Sequence, residues 1–220
     1  MSRFIQALAL AALCLSPQTN ALKALAQSPT PQRTLRVDYD FSGNNKQQHI
    51  ALSQLCSFSG WAGRRTHTDS VLLHGNGDIT LRDAATHRVL YKQSFSTLFQ
   101  EWQSTEEATR LTRSFENTFL LPMPTDSAEV TVQLYNMQQQ PTVSFTHKVD
   151  PRDILIRNLD NTPIPPHRYL HHSGSSEQKI DVAIVAEGYT AQQSDLFYAD
   201  AQKAVNAILS HEPFKHYANR

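Results

Sequence analysis

The chain has 220 residues, with 20 Lys and Arg against 20 Asp and Glu, and apolar residues make up 40% of it. That length carries one large domain, or one domain and part of another, and that apolar share excludes wholesale disorder. Balanced charge with no basic stripe excludes an electrostatic footprint for nucleic acid, so no nucleic-acid partner is expected.

At the N-terminus, Arg3 precedes an apolar run of twelve residues, Phe4–Leu15, interrupted only by Gln6. A helix needs ~20 apolar residues to cross a bilayer core of about 30 Å, so this run suits a secretory signal instead. Ala24-Leu25-Ala26 places small residues where a signal peptidase reads, with Thr19-Asn20-Ala21 as a second site. Residues 1–26 are therefore predicted to be a signal peptide. The protein is expected to be exported (periplasmic, cell-surface or secreted), with no membrane partner after cleavage. Cys14 follows Leu13, where a lipoprotein signal has a small residue, so lipidation is not expected. Cleavage leaves Cys56 alone without a disulfide partner, and it reads as a small core residue. The 20 basic residues less Arg3 and Lys23 leave 18 against 20 acidic ones, a slightly acidic mature chain.

From Thr34 to Val149 the apolar pattern is short and strand-like. Leu35–Phe41 alternates apolar and polar residues, and Ser42-Gly43-Asn44-Asn45 follows as a turn. Ile79–Arg82 and Val89–Tyr91 flank a polar turn and predict a hairpin. Phe115–Leu121, Val130–Tyr135 and Thr142–Val149 follow, separated by turns holding Pro122, Pro124, Asp126 and Pro141. Ser104 with Glu107 has capping-box spacing and predicts a short helix through Leu111. Several short strands and one small helix predict a mainly β protein with an antiparallel β-sandwich over 34–150; an up-and-down barrel is the alternative.

Residues 151–178 read as a linker, with Pro151, Pro163, Pro165 and Pro166 and the run Ser173-Gly174-Ser175-Ser176. Beyond it, Lys179–Ala186 is an apolar, β-rich run suited to a strand covered on both faces. Glu187-Gly188-Tyr189 makes a turn. Thr190 with Gln193 resembles a helix cap, and Phe197, Ala201, Ala204, Val205 and Ile208 recur at helical spacing to Ser210. Strand, turn and helix are how an α/β domain opens. One such unit over 179–220 cannot bury enough apolar surface alone, so the region reads as the beginning of a larger, here incomplete, domain.

The run Leu98-Phe99-Gln100-Glu101-Trp102-Gln103-Ser104-Thr105-Glu106-Glu107 resembles the "LFGEWQTTEEA" signature in the N-terminal domain of the immunoglobulin-A peptidase family of zinc metallopeptidases. Leu35–Tyr39 looks like that domain's first strand, and Leu55 with Trp61-Ala62-Gly63 resembles its "L…WAG" segment. Phe115…Leu120-Leu121-Pro122 and Val149-Asp150-Pro151 resemble its later strands and exit. Asp181–Thr190 is similar to the family's "DIVFLGDGYT" strand and turn, and His211-Glu212-Pro213-Phe214 to its "SHEPF". The resemblance implies metal-assisted peptide hydrolysis of a protein or glycoprotein substrate, with zinc as cofactor, in a complete member. The H-E-x-x-H motif that would hold the zinc and activate its water does not occur in this sequence. No catalytic, cofactor-binding or metal-binding residue is therefore assigned here, and no cofactor is expected in this chain.

Several residues invite a site reading and are better explained otherwise. His211-Glu212 and His216 imitate a zinc motif, but five residues turn a helix through ~500° and leave the rings ~140° apart, and Pro213 interrupts the ladder. His167 and His171 have i, i+4 spacing and Pro165-Pro166 could start a helix. With His172 nearby and Asp160 or Glu177 as a third ligand, they still sit in a linker without cysteines. Ser173-Gly174-Ser175 lacks the flanking glycines of a nucleophile elbow. Trp61, Trp102, Phe95 and Phe99 could form a platform for sugar or peptide but read first as sandwich core. Glu187 ends the predicted strand, at the edge where α/β clefts form. The sequence thus points to the accessory front of an exported zinc peptidase, inactive by itself. A stand-alone exported sandwich that binds a glycan or protein is the alternative.

Overall fold

The computed structural model describes residues 33–175 and 178–219. The predicted signal peptide lies outside the described residues, as does Glu177. Among the described residues, eight strands form two four-stranded sheets. β1 (Arg33–Gly43), β2 (Gln48–Ser59), β5 (Arg113–Pro122) and β8 (Arg157–Asn158) build one sheet in the order β5-β1-β2-β8. β3 (Gly77–Asp83), β4 (Val89–Phe95), β6 (Ala128–Tyr135) and β7 (Pro141–Val149) build the other in the order β4-β3-β6-β7. All pairings are antiparallel except the short β2–β8 contact. The architecture is the predicted β-sandwich.

Alternation places the core. Leu35, Val37, Tyr39 and Phe41 of β1 and Val130, Val132 and Leu134 of β6 are all fully buried, facing each other between the sheets. β1 is paired on both sides, so even its outward Asp38 is buried. Asp38 is satisfied there by Arg36 Nε at 2.8 Å, Gln54 Nε2 at 2.7 Å and Thr118 Oγ1 at 2.7 Å. Burial alone would raise the Asp38 pKa, but these hydrogen bonds outweigh it and hold the carboxyl below its ordinary value. The β1–β2 turn depends on Gly43, at φ +148°, where a Cβ would fall 2.0 Å from the Gln47 carbonyl oxygen.

β2 escapes a periodicity reading because its alternation slips. The β1–β2 register is irregular between Asp38 and Tyr39, which pair with Gln54 and Leu52 and leave Ser53 over as a bulge. Ile50 and Leu52 before the bulge and Leu55 after it all pack on the core, which no strict period of two allows. The expected helix after Ser104 also sits elsewhere. Helix α1 spans Leu98–Gln103, with Thr97 as N-cap accepting from Gln100 N, and Ser104 as its C-cap. Thr97 is extended and preorganised to cap, while Phe99 and Trp102, three residues apart, share the buried face. Glu107 begins only a 3-10 turn, Glu107–Thr109.

The polar stretch after Asp150 stays on the sandwich for ten residues. β8 pairs with Cys56 and Ser57, and Asp160 accepts from Ser59 N at 2.6 Å and from Arg33 at 2.9 Å. These bonds pull the Asp160 pKa down to about 2. Further on, residues 179–186 form no strand among the described residues, and Ile180, Val182 and Val185 are 71%, 81% and 82% exposed. A strand buried on both faces needs flanking strands and covering layers, and among the described residues none lies beside this segment. Helix α2 (Ser194–Ser210) forms as predicted, preceded by a capping box between Thr190 and Gln193.

Candidate functional site

The signature run over 98–107 closes one end of the sandwich. Phe99 and Trp102 pack against Phe115 with ring centroids 5.8 and 5.6 Å away. Gln100 Nε2 donates to the carbonyls of Asn76 and Tyr135, at 2.9 and 2.8 Å, tying the ends of β3 and β6 together. Gln103 Nε2 donates to the Asn44 carbonyl in the β1–β2 turn. The Trp102 indole N–H donates to Glu107 Oε2 at 2.7 Å, and Glu107 Oε1 accepts from Arg113 at 2.7 Å. The run's sequence distinctiveness has a structural cause, and Trp61, 6% exposed and edge-on to Tyr91 at 5.4 Å, likewise belongs to the core. Cys56 is buried as expected.

The histidine candidates do not converge. His211 Nδ1 lies 2.7 Å from the Ala207 carbonyl at the end of α2, while His216 pairs with Glu212 at 2.9 Å. Residues 163–169 are irregular, so the i, i+4 spacing does not bring His167 and His171 to one face. His171 Nε2 meets the Ala218 carbonyl at 2.6 Å, and Tyr169 stands edge-on to both His167 and His172. Asp160 is committed to Arg33. Glu187 is exposed before Gly188 at φ +78°, with no strand end behind it. Among the described residues, no group of three or more His, Cys, Asp or Glu side chains could hold a metal ion. The donor set therefore does not fit a catalytic zinc, which needs about three protein ligands and an open position.

A built polar concavity lies where the sequence reading placed nothing. On the outer face of the β4-β3-β6-β7 sheet, Thr80 and Thr131 are cross-strand partners and short. The longer side chains of Arg82, Lys92, Gln133 and Tyr135 rise around them, making a trough of about 120 Å3. Asp78, only 4% exposed, accepts from Lys92 Nζ at 2.9 Å and Tyr135 OH at 3.2 Å through Oδ2, while Oδ1 has no hydrogen-bond partner. Burial is the largest influence and works against the charged form of Asp78, but the Lys92 ammonium together with the Ser94 and Tyr135 hydroxyls outweighs it and keeps the carboxyl pKa low. Burial and the Asp78 charge push the Tyr135 hydroxyl pKa up. The signal that locates these residues is the period-two set opposite Ile79 and Leu81, which alternation assigns to the sheet's outer face.

The C-terminal region presents a different surface. Only Ala201 of α2 is buried, and Leu196, Ile208, Phe214 and Tyr217 are exposed together with Ile180, Val182 and Val185. Arg168, stacked 4.1 Å over the Tyr198 ring and paired with Asp195 at 3.1 Å, ties the preceding segment to this helix. Residues 27–146 match the family model described as Peptidase M64 N-terminus, and residues 169–220 match that described as IgA Peptidase M64. The chain belongs to the M64 peptidase family. Comparison with curated proteins gave no match. The M64 N-terminal match thus covers the sandwich strands β1–β6 and most of β7, and the M64 peptidase match covers α2 and its exposed apolar surroundings.

Proposed function

We propose that this chain is the exported, non-catalytic front of an M64 zinc peptidase. The sandwich serves as a rigid accessory platform, and the 179–219 segment packs beneath further catalytic polypeptide. The exposed apolar set Ile180, Val182, Val185, Leu196 and Phe214 carries this reading. So many large apolar side chains left exposed on one short, peptidase-matching segment fit a surface that further polypeptide covers. The zinc and its general base belong to that further polypeptide, because His171 and His211 meet backbone carbonyls, Asp160 meets Arg33 and His216 meets Glu212, and no three metal-ligating side chains converge among the described residues. Its substrate would be a protein or glycoprotein.

The test is metal content and peptide release on the purified chain lacking residues 1–26. The expected outcome is no stoichiometric zinc after dialysis at neutral pH and no cleavage of protein substrates. One zinc per chain, lost in His211→Ala or in His171→Ala, would contradict it. Mature protein recovered after export should begin at Gln27 or Leu22, and material retaining Met1 would contradict export.

A further inference from the structure

The stretch that joins the sandwich to the peptidase-matching region contains one bond suited to cleavage. On its sandwich side the last backbone hydrogen bonds run from Leu159 N to the Ser57 carbonyl and from Thr162 N to the Leu159 carbonyl, at 2.8 and 2.9 Å. On its far side His171 Nε2 meets the Ala218 carbonyl at 2.6 Å. Between them residues 163–169 are all exposed, and among the described residues 163–174 take part in no backbone–backbone hydrogen bond. Pro163, Pro165 and Pro166 lack the N–H for one and disfavour helix in the residues before them. An extended peptide can pair strand-like with an enzyme's sheet edge, so here no native structure has to open first. Arg168 is the one Arg or Lys between Arg157 and Lys179, and Tyr169 rather than a proline follows it. Other exposed arginines sit in closed structure. Arg88 accepts from Asp83 N across a hairpin turn, and Arg152 lies in a turn closed by Asp153 N on the Asp150 carbonyl.

We propose that the Arg168–Tyr169 bond is a processing site, cut by a protease whose primary pocket holds a carboxylate for arginine, and that the cut frees the sandwich from the peptidase-matching region. Water adds across the amide, the C–N bond breaks, and a carboxylate is left on Arg168 and an ammonium on Tyr169. The cutting protease supplies the nucleophile and the base. The Arg168 guanidinium is paired with Asp195, but the two side chains are 57% and 88% exposed. Releasing it from so exposed a pair slows capture by roughly fivefold at most. The cut interrupts no strand or helix, and the Leu159 and Asp160 ties stay with the sandwich. The M64 peptidase match begins at residue 169, so both matched regions remain whole. Afterwards Arg168 reaches α2 only through its exposed contacts with Asp195 and Tyr198, too weak to hold two fragments together. The inference is independent of zinc and of any activity of this chain.

The experiment is limited digestion of the full chain with an arginine-specific endoprotease, followed by intact-mass spectrometry and size exclusion. Among the arginines of 33–219, Arg168 should be cut first, roughly tenfold or more ahead of the next, because the others wait on local or global opening. The fragment ending at Arg168 should accumulate, elute apart from the 169–220 fragment, and keep the melting temperature of the uncut sandwich. Arg168→Gln should lose this first cut, and Asp195→Asn, which frees the guanidinium, should quicken it by up to roughly fivefold. Protein recovered from the cells that naturally make it should include sandwich ending at Arg168. The proposal is overturned by a first cut at Arg65, Arg88 or Arg152, by Arg168→Gln digested at an unchanged rate, by fragments that stay together, or by recovery of uncut chain alone.

Discussion

Leu35–Phe41 and Ile180–Val185 are both short stretches whose apolar residues suit a strand, the first alternating with charged residues and the second nearly all apolar, yet they end in opposite environments. Leu35, Val37, Tyr39 and Phe41 are fully buried, whereas Ile180, Val182 and Val185 stand open. The difference lies in the neighbours. β1 has β2 and β5 on its two sides and β6 across the sandwich, so both its backbone groups and its apolar face are covered. The segment 179–186 has no flanking strand among the described residues. An apolar run specifies burial only where the rest of the fold supplies partners.

The largest expected effect is in the sandwich. Phe99→Ala removes a fully buried ring at the closed end and should cost about 3–5 kcal/mol, read by urea unfolding. Leu196→Ala on the open face of α2 should stay within about 0.5 kcal/mol. Equal losses at the two sites would break the contrast. Gln100→Ala comes next. It leaves the Asn76 and Tyr135 carbonyls without their side-chain donor, at about 1–3 kcal/mol. A loss within the error of the surface variants would mean that Gln100 does not hold β3 and β6 together.

The pH dependence is smaller and has a definite sign. His147 of β7 is partly buried, with Nε2 at 2.7 Å from the fully buried Tyr39 hydroxyl of β1. Burial lowers the His147 pKa below its ordinary 6.5. The unfolded chain therefore binds the proton more readily, so this contribution to stability is complete above pH ~6.5 and is lost as pH falls toward the folded value. Denaturation curves between pH 8 and 5 should show that decline, and His147→Gln should flatten it. A decline of the same size in His147→Gln would assign it to another group.

Much of the sandwich is legible in the sequence because its strands obey a period of two, from Leu35 to Val149. Two strands are not legible: β2, because the bulge at Ser53 shifts its phase, and β8, because two residues within a proline-rich stretch carry no period. The α1 boundary is misread because Ser104 and Glu107 have capping spacing without capping geometry, while Thr97 has both. The trough is invisible to motif reading since Asp78, Thr80 and Arg82 on β3 meet Lys92, Thr131, Gln133 and Tyr135 only through strand pairing. In the 179–219 region the reverse holds. Its sequence resembles a peptidase opening, and its helix forms, but the strand requires neighbours that local sequence cannot provide.

Native-state hydrogen exchange on the full chain tests most directly whether stability resides in the sandwich while the peptidase-matching segment lacks a core of its own. Amides of β1, β3 and β6 should exchange only through global unfolding, and those of 179–190 and α2 through far less costly local opening. Protection of α2 equal to that of β1 would contradict the account, because it would mean that the segment is already covered.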